Sequence, residues 1–477
     1  MRYINISNLK KYYGDYELFS IDKFELFSGD KVGIVGQNGS GKSTLLKIIY
    51  EIEEYDTGKV DVNALISYLP QYSELTIANS PALESASAGE IQKLRIKRTL
   101  EQPHDLLLLD EPTSNLDLDY INFLKERLKK ESSFILISHN RDLLNTLCTS
   151  ILEIENKKVK LYKCTYDEYT RIKEEEVKRQ KFEYEEYLAK KEKLYQALKE
   201  QKEKEMKFSR KNRKISNSDR KAQEFSSVGR SYSAKQKALA KKAKSIQSRI
   251  DQLPVVERPY EAFQIKPWLQ LYSLIRSRNK YIIYSDCLNF SYDDGKIIFE
   301  NAKFYIENGS KTVIVGKNGC GKTTLLNLIA DRKSEVGIYI SPQVKIGMQS
   351  QNLKELDYNK TVGRYILENS IQGESFSRSI LYRMGFPADK LQNKINTLSG
   401  GEQVKLSLVR LFLSDFNVLI FDEVTNYLDI TSITALEELI KMYPGTIICV
   451  SHDVRFIKNI STNILRIKDG KIFQDTL

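Results

Sequence analysis

Short apolar runs that end in a glycine loop or an acidic pair recur along the chain. Residues 32–35 and 311–315 lead into glycine loops, whereas residues 106–109 and 418–421 each end in Asp-Glu. Continuous apolar runs of this length indicate strands buried on both faces. The pattern predicts an α/β fold in which strands and loops alternate with helices.

A different periodicity lies between these runs. Residues 165–253 contain almost no Gly or Pro, Gly229 being the exception, and apolar positions step by three and four. Such heptad spacing predicts two long helices that pair antiparallel, with a turn at residues 215–219 and an arm of roughly 50–65 Å. The seam positions are Gln180, Tyr184, Tyr187, Lys191, Leu194 and Leu198 in the first helix, and Leu239, Ala243, Ile246, Ile250 and Leu253 in the second.

The chain is internally duplicated. The glycine loop recurs after 316 − 36 = 280 residues, the Asp-Glu pair after 422 − 110 = 312 and a Ser-His pair after 451 − 138 = 313. We therefore predict two P-loop nucleotide-binding domains, at 1–163 and 281–477, joined by a helical linker (164–260, tip near 208–231) and a connector (261–280). The interval from residue 71 to 87 in the first copy is much shorter than the matching interval from 351 to 399 in the second. The first copy is therefore expected to lack most of a small helical subdomain.

The positive charge is concentrated in the linker. The chain carries a net charge of +11, and residues 207–249 contain fourteen Lys/Arg against two acids, which is +12 and leaves −1 for the rest. A segment of this kind usually faces phosphate, as nucleic acid or anionic lipid. The alternative is a solvated helical face.

Composition excludes several classes of protein. Five cysteines without a C-x-x-C pair argue against a disulfide framework and a thiolate zinc site, and three histidines argue against a histidine metal centre. No apolar run approaches the 18 residues of a membrane-spanning helix, which excludes one. The cysteine usage fits a reducing cytosol, so a cytoplasmic protein is expected.

Both glycine loops follow the G-x-x-x-x-G-K-S/T pattern. Their backbone N–H groups converge on phosphate at a helix N-terminus. Lys42 and Lys322 are expected to neutralise the β- and γ-phosphates, while Ser43 and Thr323 offer hydroxyls to magnesium. The predicted loops are Gly36, Gln37, Asn38, Gly39, Ser40, Gly41, Lys42, Ser43 and Thr44, and Gly316, Lys317, Asn318, Gly319, Cys320, Gly321, Lys322, Thr323 and Thr324. Cys320 is interpreted as a small spacer residue, not a nucleophile.

The acidic pairs predict the hydrolytic chemistry. Asp110 and Asp422 are candidate magnesium residues, and Glu111 and Glu423 are candidates to polarise the attacking water. His139 and His452 stand at matched positions and are expected to hold the γ-phosphate.

Four further residues are candidates for nucleotide or metal contacts. Gln71 and Gln351 could reach magnesium or the water, with Gln349 a competitor of Gln351. Tyr13 and Tyr292 precede the two loops and could stack on adenine, unless they are core residues. His104 has no counterpart in the repeat and is expected to be structural.

Residues 398–403 (Leu-Ser-Gly-Gly-Glu-Gln) resemble the signature motif of ATP-binding-cassette (ABC) proteins. Two such cassettes in one chain, with a basic helical linker and no membrane domain, resemble the ABC-F family. The long linker and short first cassette are similar to its antibiotic-resistance members. This resemblance implies ATP and Mg²⁺ as cofactors and a monomer whose cassettes sandwich two ATP molecules head to tail.

The resemblance also assigns signature residues to the two sites. The loop at 36–44, with Glu111 and His139, would face Ser399, Gly400, Gly401 and Glu402. The loop at 316–324, with Glu423 and His452, would face Ser87, Ala88, Gly89 and Glu90. Ala88 replaces a glycine of the motif, Val424 stands where the first copy has Pro112, and Tyr427 replaces a histidine common in the family. We therefore predict slower turnover at the second site.

The family implies action on the ribosome. The ATP-bound form would dock in the ribosomal E site and push its linker toward the P-site tRNA, 23S rRNA and peptidyl-transferase centre, where lincosamides, pleuromutilins and streptogramin A bind. Linker residues Phe208, Phe225, Arg230 and Tyr232 could stack on RNA or pack between the helices. A housekeeping ABC-F translation factor is the alternative, followed by a transporter ATPase subunit, which has no use for a basic arm.

Overall fold

The computed structural model describes residues 1–71, 88–213, 227–254, 256, 280–293, 295–349 and 355–475. It divides into two compact units. One comprises Met1–Tyr169 and Ile265–Leu477 and so contains both predicted cassettes, whereas the other is Thr170–Gln264. The domain boundaries given above remain predictions.

The cassettes are built from strands and helices in alternation. The helices are α1 (Lys42–Ile49), α2 (Ala88–Glu101), α3 (Leu118–Lys129), α4 (Arg141–Leu147), α5 (Tyr166–Arg213), α6 (Ser227–Asp251), α7 (Lys322–Ala330), α8 (Val362–Asn369), α9 (Glu374–Arg383), α10 (Gly400–Leu413), α11 (Ile430–Met442) and α12 (Val454–Ile460). The strands are β1 (Arg2–Tyr13), β2 (Tyr16–Phe27), β3 (Lys31–Gly36), β4 (Thr57–Val62), β5 (Ile66–Leu69), β6 (Leu106–Asp110), β7 (Phe134–Ile137), β8 (Ser150–Glu155), β9 (Lys158–Tyr162), β10 (Tyr281–Ser291), β11 (Ile297–Glu307), β12 (Lys311–Gly316), β13 (Tyr339–Ile340), β14 (Ile346–Met348), β15 (Val418–Asp422), β16 (Thr446–Val450), β17 (Asn463–Lys468) and β18 (Lys471–Asp475).

The first cassette has one nine-stranded sheet in the order β4-β1-β2-β9-β8-β3-β7-β6-β5. Strand β3, which leads into the first glycine loop, pairs in parallel with β7 and β8, and β7 pairs in parallel with β6. Every residue of β6 and β7 is buried, as the continuous apolar runs predicted. Apolar clusters cover both faces, as a parallel sheet requires.

The second cassette repeats this core with its sheets separated. Strands β14-β15-β16-β12-β17-β18 form one sheet and β11-β10-β13 another. Strand β12, ahead of the second glycine loop, pairs in parallel with β16 and β17. Helices α8 and α9 occupy the interval that is long in this copy, and their apolar residues join the core through Tyr365, Ile366 and Ile380.

The second unit contains the long helices α5, of 48 residues, and α6, of 25. Leu198, Ala243 and Ile250 are buried together, and Leu194 and Ile246 pack against them. The α/β architecture with two P-loop domains and a paired helical linker is thus confirmed. The prediction of Gln180 as a seam residue is wrong, because its side chain is exposed to solvent.

Several predictions lie outside the described residues. They concern Ser87, Gln351, the turn at 215–219, the connector up to residue 279 and the side chains near the linker tip. Within the described part of the chain, no helix has the length and apolar character needed to cross a membrane.

Candidate functional site

Each cassette gathers its predicted residues at one edge of its parallel sheet. The first glycine loop follows β3, Asp110 ends β6 and His139 lies two residues after β7. In the second cassette the loop follows β12, Asp422 ends β15 and His452 lies two residues after β16. Because neighbouring parallel strands end at the same edge, residues distant in sequence meet there, which is where α/β folds bind ligands.

Both glycine loops adopt a conformation that only glycine tolerates well. Gly41 and Gly321 cap α1 and α7 in the left-handed region, with φ of 97° and 103°. A Cβ atom on Gly41 would also lie 2.6 Å from the ring of Phe19. This geometry turns backbone N–H groups and a helix N-terminus toward the space over the loop, which suits a phosphate.

The loop lysines are buried and held by the loops. Lys42 Nζ donates to the carbonyl oxygens of Gly36 and Gln37, at 2.9 Å each. Lys322 Nζ makes the same contacts with Gly316 and Lys317, at 3.0 Å each. Burial lowers the pKa of Lys42, although Glu111 and other acids oppose this effect. A buried ammonium beside the loop is a ready partner for phosphate oxygens.

The strand-terminal aspartates fit a magnesium site. Thr323 Oγ1 donates to Asp422 Oδ2 at 2.7 Å, which joins the loop hydroxyl to the acid. Oδ1 of Asp422 and both carboxylate oxygens of Asp110 are buried and have no hydrogen-bond partner among the described residues. Burial raises the pKa of Asp110 to about 6 and also raises that of Asp422. Carboxylate and hydroxyl oxygens are the donors that Mg²⁺ prefers.

In the first cassette the predicted base and histidine lie together in a dry environment. His139 Nε2 is 3.4 Å from Glu111 Oε1, and the His139 backbone N–H donates to Oε2 at 3.3 Å. Burial raises the pKa of Glu111 to about 7, and burial followed by the charge of Lys42 lowers that of His139 to about 3. Glu111 has φ of 49°, a strained conformation for a non-glycine residue that is common at functional sites.

The second cassette repeats the geometry but not the electrostatics. His452 Nε2 lies 3.4 Å from Glu423 Oε1, and φ of Glu423 is also 49°. Burial raises the pKa of Glu423, but His452, Lys322 and a 3.0 Å hydrogen bond from Asn426 outweigh it, so the pKa is lowered. The Glu423 side chain is 25% exposed against 10% for Glu111, which explains the smaller cost of its charge.

Each glycine loop contacts the opposite cassette. Asn38 donates from its backbone N–H to Asp429 Oδ2 at 3.3 Å and from Nδ2 to the Tyr427 carbonyl at 3.4 Å. Asn318 Nδ2 donates to the carbonyl of Asn115 at 2.9 Å. The loop of each cassette therefore faces the segment that follows the Asp-Glu pair of the other, in a head-to-tail arrangement.

The signature segments lie beside these contacts. A Cβ on Gly89 would be 2.7 Å from the carbonyl oxygen of Asn115 and 2.8 Å from Asn318 Nδ2. On Gly401 it would be 3.1 Å from the Tyr427 carbonyl oxygen, whereas on Gly400 it would meet no described atom within 4 Å. A methyl group at Gly400, such as the one that Ala88 carries in the first signature, would therefore clash with no described protein atom.

The second signature is a rigid helix start. The Ser399 hydroxyl accepts from the Glu402 backbone N–H, and the Glu402 carboxylate accepts from Ser399 in return, which forms a capping box for α10. Lys390 pairs with Glu402 at 2.6 Å. Glu90 lies in the first turn of α2, the matching helix of the first cassette.

Sequence reasoning missed an ion pair in each cassette between a lysine of the signature helix and an aspartate that caps the next helix. Lys405 is buried and pairs with Asp429 at 2.8 Å, and Lys93 pairs with Asp117 at 3.0 Å. Asp429 also accepts from the loop residue Asn38, so this ion pair links the signature helix to the opposite loop. A signal was available, since 405 − 93 and 429 − 117 both equal the 312-residue repeat spacing.

A cavity of about 40 Å³, lined by both polar and apolar side chains, lies between the two candidate centres. It has room for about two or three waters. Glu111 and His139 line it from the first cassette and His452 and Asp453 from the second. The two centres are therefore neighbours across a shared cavity.

The remaining candidates differ in how well their positions suit them. Tyr13 and Tyr292 are 51% and 47% exposed, so neither is a core residue, and Tyr292 Oη lies 2.7 Å from Thr324 Oγ1. Gln71 is exposed two residues after β5. Gln349 is buried and accepts from Ser407 at 2.8 Å.

Two other residues behave as small or structural groups. His104 contacts the Gln102 carbonyl at 2.6 Å and Glu131 at 3.2 Å, away from both centres. Cys320 occupies the place of Ser40, and burial raises the pKa of its thiol, which keeps it protonated.

Comparison with known proteins gives the same assignment. The family model described as "ABC transporter" matches residues 21–76 and 299–426. The chain is 33% identical to the erythromycin resistance ATP-binding protein MsrA of Staphylococcus epidermidis, over 94% of each chain. It is 29% identical to the ribosome protection protein VmlR of Bacillus subtilis, over 98% of this chain and 87% of the relative. It is also 29% identical to ABC transporter F family member 2 of Arabidopsis thaliana, over 98% and 76%.

Among solved structures, RNase-L Inhibitor superposes with a TM-score of 0.64 at 18% identity, covering 99% of this chain and 91% of that one. At this identity the likeness concerns the fold, which is that of two cassettes in one chain. The match to MsrA, 33% identical over 94% of each chain, shows that the chain belongs to the ABC-F family of ATP-hydrolysing proteins.

Proposed function

We propose that the protein is a ribosome-binding ATPase which docks in the E site when ATP is bound and extends its linker toward the P-site tRNA, 23S rRNA and peptidyl-transferase centre. There it would counter antibiotics bound at that centre. The observation that carries this proposal is the charge distribution, because residues 207–249 hold +12 while the rest of the chain sums to −1. A polyanion is the natural partner of such a segment.

The described part of the linker presents this charge to solvent. Helix α6 contains seven Lys/Arg and one acid, Asp251. Its described lysines are exposed, whereas Ala243 and Ile250 are buried against α5. The exposed lysines are Lys235, Lys237, Lys241, Lys242 and Lys244. Charge on the solvent side of a packed helix pair is available for phosphate contacts.

The names of two relatives support the choice of partner and outcome. One relative is called an erythromycin resistance protein and another a ribosome protection protein. Both align with nearly the whole of this chain, linker included.

We assign the same set of roles in both centres. Glu111 and Glu423 accept a proton from the attacking water, and His139 and His452 donate a hydrogen bond to the γ-phosphate. Lys42 and Lys322 bind the β- and γ-phosphates, and Ser43, Thr323, Asp110 and Asp422 hold magnesium. The metal, when bound, neutralises phosphate charge. Gln71 and Gln351 remain candidates for the metal, and Tyr13 and Tyr292 for adenine.

Closure of the cassettes follows from the cross-contacts. Asn38 and Asn318 reach the opposite cassette from within the loops that would bind phosphate. A nucleotide that orders both loops therefore favours the closed form, and hydrolysis removes that support.

Ribosome binding is tested with the Glu111→Gln/Glu423→Gln variant in ATP. We expect it to co-sediment with ribosomes and to dissociate steeply as salt increases. Changing the five exposed lysines of α6 to glutamine should weaken binding and flatten the salt dependence, whereas changing them to arginine, which keeps the charge, should preserve both. Equal binding by the glutamine and arginine variants would remove the linker from the interface.

Resistance is tested in a susceptible host. Expression should raise the inhibitory concentration of erythromycin or of a lincosamide, pleuromutilin or streptogramin A, and deletion of residues 208–231 should abolish the increase. If ribosome binding persists but no susceptibility changes, the housekeeping alternative is favoured instead.

A further inference from the structure

A buried ion cluster crosses between the cassettes beside the second catalytic centre. Arg141, the first residue of α4, donates from Nη2 to Glu437 Oε1 and lies 3.5 Å from Asp453 Oδ2. The three side chains are only 8%, 6% and 8% exposed. Arg141 comes from the first cassette, and both acids come from the second.

Both acids are fixed to helix α12, which begins just after His452. Asp453 Oδ1 accepts from the backbone N–H groups of Arg455 at 2.8 Å and Phe456 at 3.0 Å, which caps the helix. Glu437 Oε2 accepts from Asn459 Nδ2 at 3.0 Å. Asp453 directly follows His452 in the chain, so a shift of Asp453 also moves the backbone of His452.

The duplication does not repeat this cluster. By the spacings of 313 and 312 residues, Val454 corresponds to Arg141 and Lys125 corresponds to Glu437. Lys125 instead pairs with Asp142 of its own cassette at 2.7 Å. The contact therefore serves the second centre and has no equivalent that serves the first.

We propose that Arg141 is a positioning residue for hydrolysis at the second centre. Arg141 holds Asp453, and thereby the neighbouring His452, in position beside Glu423 when the two cassettes are in contact. Because Arg141 lies two residues after His139, it also connects the second centre to the histidine of the first. The inference rests on the assignment of Glu423 and His452 made under the proposed function.

The charge balance explains why docking matters. With Arg141 withdrawn, two buried carboxylates share one site without a counter-charge, which favours movement of α12. This movement displaces the backbone that carries His452. A displacement of about 1 Å at a catalytic group can lower turnover about a hundredfold.

The test measures each centre separately. Arg141→Met is combined with Glu111→Gln, which leaves the second centre active, and with Glu423→Gln, which leaves the first. We expect kcat of the second centre to fall roughly ten- to hundredfold with KM changed by less than about threefold, and kcat of the first to change by less than about threefold. Arg141→Lys should recover part of the loss, because it keeps the charge.

Lys125→Met is the matched control, since it breaks the ion pair at the equivalent position in the first cassette. Lys125→Met should change kcat at each centre by less than about twofold. If Arg141→Met folds poorly, Arg141→Lys and Glu437→Gln replace it, and the same preference for the second centre is expected.

Two results would overturn the proposal, and they are distinguishable. Equal losses at both centres, with lysine giving no recovery, would reduce Arg141 to a structural role. Full turnover by Glu111→Gln/Glu423→Gln with Arg141 intact would instead remove the assignment of the bases, and the positioning role would fall with it.

Discussion

A methyl group added at Gly89 should selectively impair the second centre. The Cβ of Gly89→Ala would lie 2.7 Å from the Asn115 carbonyl oxygen and 2.8 Å from Asn318 Nδ2. The amide of Asn318 can turn aside, but the Asn115 carbonyl belongs to the backbone and would require the chain itself to move. The contact with Asn318 exists only when the second glycine loop faces the first signature. The contact with Asn115 lies within the first cassette, but the Asn115 carbonyl accepts from Asn318 Nδ2 at 2.9 Å, so displacing it weakens a hydrogen bond that only the closed form makes.

The magnitude follows from the overlap. Forcing an extra methyl group into a packed contact costs about 1–3 kcal/mol. If the closed form bears this cost, its population relative to the open form falls about 5- to 150-fold. The expected result is a comparable decrease in kcat/KM for ATP at the second centre, measured in a chain that also carries Glu111→Gln.

Gly400→Ala is the matched control, because its Cβ would meet no described protein atom within 4 Å. We expect it to change turnover at the first centre, measured with Glu423→Gln, by less than about twofold. Equal effects of the two substitutions would refute the steric argument and the head-to-tail contact from which it is derived.

Three further predictions concern the differences between the cassettes. Turnover of the second centre, measured with Glu111→Gln, should be slower than that of the first, measured with Glu423→Gln; equal rates would contradict this. Because the raised pKa of Glu111 is about 7, turnover of the first centre should rise about tenfold from pH 6 to pH 8 as the base loses its proton, whereas Glu423, whose pKa is lowered, should give a flatter profile. Asp429→Ala leaves the ammonium of Lys405 buried without its partner and should lower the free energy of unfolding by about 3–5 kcal/mol, measured as a lower thermal midpoint. Asp117→Ala should lower it less, because Lys93 is 30% exposed. Similar midpoints for the two variants would contradict the role of burial.

The pKa values of Glu111 and Glu423 differ although the two residues have the same local geometry. Both glutamates follow an apolar strand, both face a histidine at 3.4 Å and both have φ of 49°. Asn426 supplies Glu423 with a hydrogen bond where the first cassette has Ser114. Burial raises the pKa of Glu111, whereas the hydrogen bond and charge of His452, followed by Lys322 and Asn426, outweigh burial and lower the pKa of Glu423.

Local sequence information determined the components of this protein. Strand-forming apolar runs, the glycine loops and the strand-terminal acids depend on neighbours within a few residues, so they were predictable from single segments. The duplication extended each assignment to a second copy, and the heptad steps identified Leu198, Ala243 and Ile250 as residues that bury one another. In the same way, the charge of the linker is a property of composition.

Only the tertiary structure decided how these components meet. Asn38 and Asp429 are 391 residues apart, and neither the loop pattern nor the repeat spacing indicates that they touch. Arg141 has the appearance of an ordinary helix-start residue until its guanidinium is found among two acids of the other cassette. Burial and contacts across a domain boundary depend on how whole sheets and helices pack, and the pKa of Glu111 and the room around Gly400 are consequences of that packing.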